Sequence, residues 1–215
     1  MAKGKGAGMI LMAGVLALAV ASADEDSSGS ASSTGTGSGQ VVVNSFAARL
    51  AASKLAASQG NLNGALQHLG MTAGPRGQRH SVNCAAFATG QVRQYLLRTP
   101  CRSMDRLLFT IRDGRGGRIA VAVAWVDFRS APQARQFRQL DDTPGAGQIN
   151  PLPGSTVGIR NVTLSGNHHR SRQVGKTAVS ADAEPVAGSQ QTEALLDEIA
   201  NVAVLLPHGY QQNGK

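Results

Sequence analysis

The sequence predicts an α+β domain: a mainly antiparallel sheet built around the strand 118–128, with helices packed on it. Three observations carry that prediction. Residues 118–128 form the only long apolar run after the leader, β-branched and free of Gly and Pro, which argues a buried strand. A turn of Asp, Arg and Gly at 113–117 joins it to the alternating Leu107, Phe109 and Ile111, so the two read as an antiparallel hairpin. Helix-period segments then appear before, between and after the strands, without the strict β-α-β alternation of a parallel sheet. On the central strand Ile119, Val121, Val123 and Trp125 point one way and Ala120, Ala122 and Ala124 the other. The bulky face can fill a core, and the alanine face lets a second layer approach closely.

The N-terminus is read separately from the fold. Lys3 and Lys5 precede the apolar run 9–20, and Ala21-Ser22-Ala23 follows, the pattern of a secretory signal peptide cleaved near Ala23, with Ala21 as the alternative. The run is shorter than the ~20 residues that span a bilayer, and no Cys stands at the junction to take a lipid. An uncleaved anchor is the competing reading. Residues 24–44, acidic and then Ser/Gly/Thr-rich, read as a disordered spacer. The domain then runs over 45–207, and 208–215 is a polar tail.

Within the domain, residues 45–68 read as one helix or as two short ones, because Gly60 and Gly64 interrupt the pattern. Residues 70–79, with Gly74-Pro75, read as a loop. A helix over 89–97 is capped by Thr89 and stopped by Pro100. A third begins at Ser130, with Pro132 in its first turn and Ala134, Phe137 and Leu140 inward. Residues 156–164, 170–174 and 177–183 read as strands, the last two joined at Gly175-Lys176. The last helix opens at Thr192 and buries Leu195, Leu196, Ile199, Val202, Ala203 and Leu206.

Cys84 and Cys101 are the only cysteines, and an even pair in an exported chain predicts a disulfide. The bridge constrains the helix beside it. An unbroken helix over 84–98 would be roughly 20 Å long, and the three residues after it retrace only about 10 Å. The bridged Cα atoms must stand about 5.5 Å apart. The helix must therefore start near Thr89, with 84–88 doubling back.

No catalytic, cofactor-binding or metal-ligating set is legible. His168 and His169 project to opposite faces of a strand, so one metal cannot take both. No acidic residue or Cys adjoins them, and Arg170 and Arg172 follow, so a structural or exposed pair is the reading. No G-x-S-x-G elbow occurs. Asp141 and Asp142 read as a solvated helix end, and Gly145-Ala146-Gly147 as a stop signal. Asn161-Val162-Thr163 matches a glycosylation sequon, which carries nothing in a bacterial host.

Charge is the remaining clue. The formal net charge of +8 includes Lys3 and Lys5, and the surplus concentrates between Arg76 and Lys176, while the C-terminal stretch is acidic. The candidate anion-binding residues are Arg112, Arg115, Arg118, Arg170 and Arg172. The competing reading is an Arg-rich composition of a GC-rich genome. Aromatics that could stack on bases do not stand between the cations, which argues against specific nucleic-acid binding. An anionic wall polymer, a lipid surface or an acidic protein remain as partners.

The segments 99–102, 123–127, 140–147, 165–172 and the closing helix with Leu205-Leu206-Pro207 together resemble a group of exported proteins of high-GC Gram-positive bacteria. The resemblance covers 84–207 and implies location and domain extent; no activity is attached to the group, so it implies no site residue. The expectation is an exported, envelope-associated binding domain. The alternative is a hydrolase of envelope material, favoured if a pocket brings His168 or His169 within reach of a carboxylate or serine.

Overall fold

The computed structural model describes residues 45–160 and 163–209. The predicted leader and spacer lie outside them. Among the described residues no helix is long and apolar enough to cross a membrane. The elements are α1 (Phe46–Ser58), α2 (Leu62–His68), β1 (Thr72–Ser81), α3 (Gly90–Arg98), β2 (Ser103–Arg112), β3 (Arg118–Asp127), α4 (Ala131–Asp141), β4 (His169–Val174), β5 (Thr177–Pro185) and α5 (Glu193–Ala203). The five strands form one antiparallel sheet in the order β1-β2-β3-β5-β4. The α+β class stands, and β3 is the central strand.

The two faces of β3 do different work. Ile119, Val121, Val123 and Trp125 lie in the main core with residues of α1, α2 and α5. On the other face Val126 packs under α3 and α4, and Ala120 under Leu152, Val157, Ile159 and Leu164 of the long α4–β4 connection. Burial on both faces is why β3 reads as a continuous apolar run rather than an alternation.

Two departures from the predicted elements have physical causes. Residues 72–81 are a strand, not a loop. β1 is an edge strand, so Pro75 costs no central ladder bond, and the register shifts between Ala73 and Arg76. Gly74 and Gly77 are needed there, because a Cβ would collide with the side chains of Thr110 and Thr156. Conversely, 156–160 and 163–164 hold no strand. A 3-10 turn spans Gly154–Val157, and Gly158 follows at φ +69°. The apolar members of this stretch, Val157, Ile159 and Leu164, cover the alanine face of β3 instead.

The interrupted first helix resolves into two, capped by Ser45 and Asn61. The disulfide Cys84–Cys101 forms with its Cα atoms 6.3 Å apart. As the bridge demands, α3 begins only at Gly90, and Cys84–Phe87 is a separate 3-10 turn. Thr89 does not cap α3 through its side chain. The Ala146 carbonyl accepts the Gln91 and Val92 amides at 2.6 and 3.2 Å, so the glycine-flanked stop of α4 also caps α3.

Arg172 holds the end of α5 to the sheet. Its Nε donates to the Val204 carbonyl at 2.6 Å and its Nη2 to that of Leu205 at 2.9 Å. Arg172→Met should cost about 2 kcal/mol in urea unfolding, because terminal carbonyls lose charge-assisted donors. An unchanged midpoint would show that water replaces the guanidinium freely.

Candidate functional site

The β2–β3 hairpin keeps Arg112, Arg115 and Arg118 exposed at its tip. Arg112 and Arg118 are direct cross-strand partners in the register. Like charges placed opposite one another on a sheet repel, and neither side chain reaches a carboxylate among the described residues. Asp113 sits inside the turn. It accepts a hydrogen bond from Gln191 at 3.0 Å and from the Arg115 and Gly117 amides at 2.9 and 2.7 Å. The Gln191 bond, with the two amides and the Arg115 charge, holds its carboxyl below the usual range. The tip is thus a turn carrying three cations and one committed acid.

The other two candidate arginines are elsewhere. Arg170 pairs with Asp197 at 3.0 Å. It shares with Arg115 the lining of an open groove of about 740 Å³ whose wall also holds Asp113, Asp197 and Glu198. Arg172 is spent on the α5 carbonyls described above. The five arginines do not form one face.

A second constellation lies on the alanine face. Ala122 and Ala124 leave room there, and a cavity of about 40 Å³ opens between the sheet, the end of α4 and residues 148–151. In-register neighbours of these alanines line it: Arg106 on β2, Ser180 and Asp182 on β5, and His169 opposite Asp182 on β4. Asp141 reaches it from the last turn of α4, with its side chain only 3% exposed. Asp141 is therefore not the solvated helix end expected from sequence. Being the last helical residue did not expose it, because α4 docks its final turn on β4 and β5.

Burial, the largest effect, pushes the Asp141 carboxyl up to about 6; His169 and a hydrogen bond with Ser180 oppose that, and the charges of Asp142 and Asp182 add to it. Burial, and then the charge of Glu184, also raises Asp182. The His169 Nε2 is 3.7 Å from Asp141 Oδ2 and 3.4 Å from Asp142 Oδ1. Three buried polar atoms at this cavity have no protein hydrogen-bond partner: His169 Nε2, Asp182 Oδ1 and Arg106 Nε. Arg106 is otherwise held by the Asn150 carbonyl at 2.9 Å and lies over the Phe87 ring at 3.9 Å.

His168 takes the opposite face, as strand alternation requires. Its Nδ1 hydrogen-bonds Asp197 at 3.0 Å, and its Nε2 lies 3.0 Å from Glu193. Sequence proximity was thus a poor guide to the histidines' surroundings. Their acidic partners come from α4, α5 and β5, and only the helical spacing of Glu193 and Asp197 gave any hint of one. A third imidazole, His208, is 2.9 Å from Asp105 through Nε2 and 3.4 Å from Asp127 through Nδ1. Among the described residues no cluster of three or more His, Cys, Asp or Glu side chains has a geometry able to hold a metal ion.

These features define the chain as an α+β domain with a cationic hairpin tip and a small acid–histidine cavity. No family model matches the sequence, no curated protein matches it, and no solved structure matches the fold.

Proposed function

We propose that the chain is an exported, envelope-associated binding domain without catalytic activity, whose β2–β3 hairpin tip takes an anionic polymer of the cell wall. The observation that carries this reading is the Arg112–Arg118 pair, exposed and directly opposed without a carboxylate between them. An anion bridging the two guanidiniums relieves their repulsion, and the fork geometry of Arg suits phosphate or carboxylate groups. Arg115 extends the same contact around the turn.

The hydrolase reading draws on the alanine-face cavity, where His169 and Asp141 meet. Its size speaks for a structural role. A single water needs 10–15 Å³ of such volume, so about 40 Å³ admits a few waters or one small group, not a polymer. Ser180 bonds to the Asp141 carboxyl rather than to an imidazole, so no serine there is activated as a nucleophile.

The test is retention on purified cell wall across a salt series. The wild type should bind at low salt and elute as the Debye length falls from about 10 Å at 0.1 M to about 3 Å at 1 M. Arg112→Gln with Arg118→Gln should lower retention at least tenfold while thermal stability stays within about 0.5 kcal/mol. Equal retention of the variant would assign binding elsewhere. Retention on anionic lipid vesicles but not on wall would replace the polymer by a membrane.

A further inference from the structure

The helix α5 covers the bulky face of the sheet; one imidazole lies beside its first two turns and another follows its C-terminal end in the chain. At the N-terminal half, His168 is 5% exposed and faces carboxylates through both ring nitrogens: Asp197 at 3.0 Å and Glu193 at 3.0 Å, one helical turn apart. Beyond the C-terminus, His208 stacks on Trp125 at 6.5 Å and also faces two carboxylates, Asp105 at 2.9 Å and Asp127 at 3.4 Å. A neutral imidazole has one N–H and one lone pair, whereas an ionised carboxylate only accepts. Only the cation can satisfy both flanks. We propose that α5 is an acid-tightened clasp, held at both ends by imidazolium bridges below neutral pH and loosened at both ends above it.

The remaining charges around each imidazole are few. At His168, Arg170 pairs with the second oxygen of Asp197, and Lys54 pairs with Glu198 one residue further along α5. Asp182 and Glu184 bind the Gly166 and Ser165 amides that lead into His168, and His169 turns away to Asp141 and Asp142. At His208, His80 shares Asp105 at 3.2 Å, and the hydroxyls of Ser103 and Thr177 bind Asp127. No Lys or Arg side chain pairs with Asp105 or Asp127 among the described residues, so the imidazoles are their counter-charges. A cationic ring can donate to both of its carboxylates and a neutral ring to only one, so acid tightens the clasp at both places.

The test uses the Asp141→Asn chain, so that the burial of that acid does not contribute. Its melting temperature should be higher at pH 5.5 than at pH 8.5. Glu193→Gln together with His208→Gln should remove about 4 °C or more of that gain. Gln at 193 can donate to a neutral ring nitrogen, and the Glu193 side chain is 86% exposed, so this variant does not threaten folding. Hydrogen exchange of the α5 amides, corrected for the intrinsic effect of pH, should quicken at pH 8.5 more than that of α4. A pH gain untouched by the two substitutions, or α5 protection equal at both pH values, overturns the proposal.

Discussion

Asp141→Asn should stabilise the domain by about 3 kcal/mol at pH 7.5, a rise in melting temperature of roughly 6–12 °C. The carboxyl is pushed from 3.8 to about 6 chiefly by burial, so ionising it in the folded state is costly. Between those two values the folded protein binds more protons at this site than the unfolded chain. Wild-type stability from this group therefore falls as pH rises from about 4 to about 6 and is flat above. Asn keeps the shape and an acceptor for the Ser180 hydroxyl without the charge. The wild type and the variant should converge near pH 4, part steadily toward about pH 6 and keep a constant gap above it. A variant less stable than wild type at pH 7.5 would mean that the His169 contact outweighs the burial cost.

Trp125→Ala should cost about 3–5 kcal/mol, the usual range for emptying the site of a buried large aromatic. Trp125 is 1% exposed at the centre of the main core, and its Nε1 donates to the Leu206 carbonyl at 3.0 Å. The same carbonyl lies 3.4 Å from Arg172 Nη2, so the substitution loosens the end of α5 as well as opening a cavity. Trp125→Phe separates the two effects, since it keeps most of the volume and loses only the donor. Urea unfolding should place it between the wild type and Trp125→Ala. Equal midpoints for all three would show that the α5 face contributes little to the core.

How far the sequence could be read follows from where each residue's partners lie. The β2–β3 hairpin, the two faces of β3, the late start of α3 and the span of α5 were legible, because local patterns and a bridge-length limit determine them. β1 was not, because Gly74 and Gly77 are there to clear Thr110 and Thr156, side chains some 35 and 80 residues away. The strand expected over 156–164 failed for a related reason. An alternating apolar pattern says which side chains are buried but not whether a paired strand or a covering loop buries them.

The cavity was hidden most deeply. His169, Asp182, Asp141 and Arg106 come from four elements, and nothing local marks Asp141 as buried rather than solvated. Ala122 and Ala124 were the only signal, since a small-residue face on a central strand leaves room for something above it. The arginine candidates divided by the same logic. Arg112, Arg115 and Arg118 sit on one turn, and that turn displays them. Arg170 and Arg172 lie on an inward-facing row, where Asp197 and the α5 carbonyls engage them.

The central claim is that the hairpin tip, and not the cavity, meets the ligand. Amide chemical shifts followed while inorganic polyphosphate is titrated into the full chain at 0.05 M salt test it most directly. The account predicts that the first and largest shifts fall on Arg112 to Arg118 and reverse when salt is added, while Ser180 to Asp182 and His169 stay in place. Shifts that begin at Asp141, His169 and Asp182 and leave the tip unmoved would contradict it.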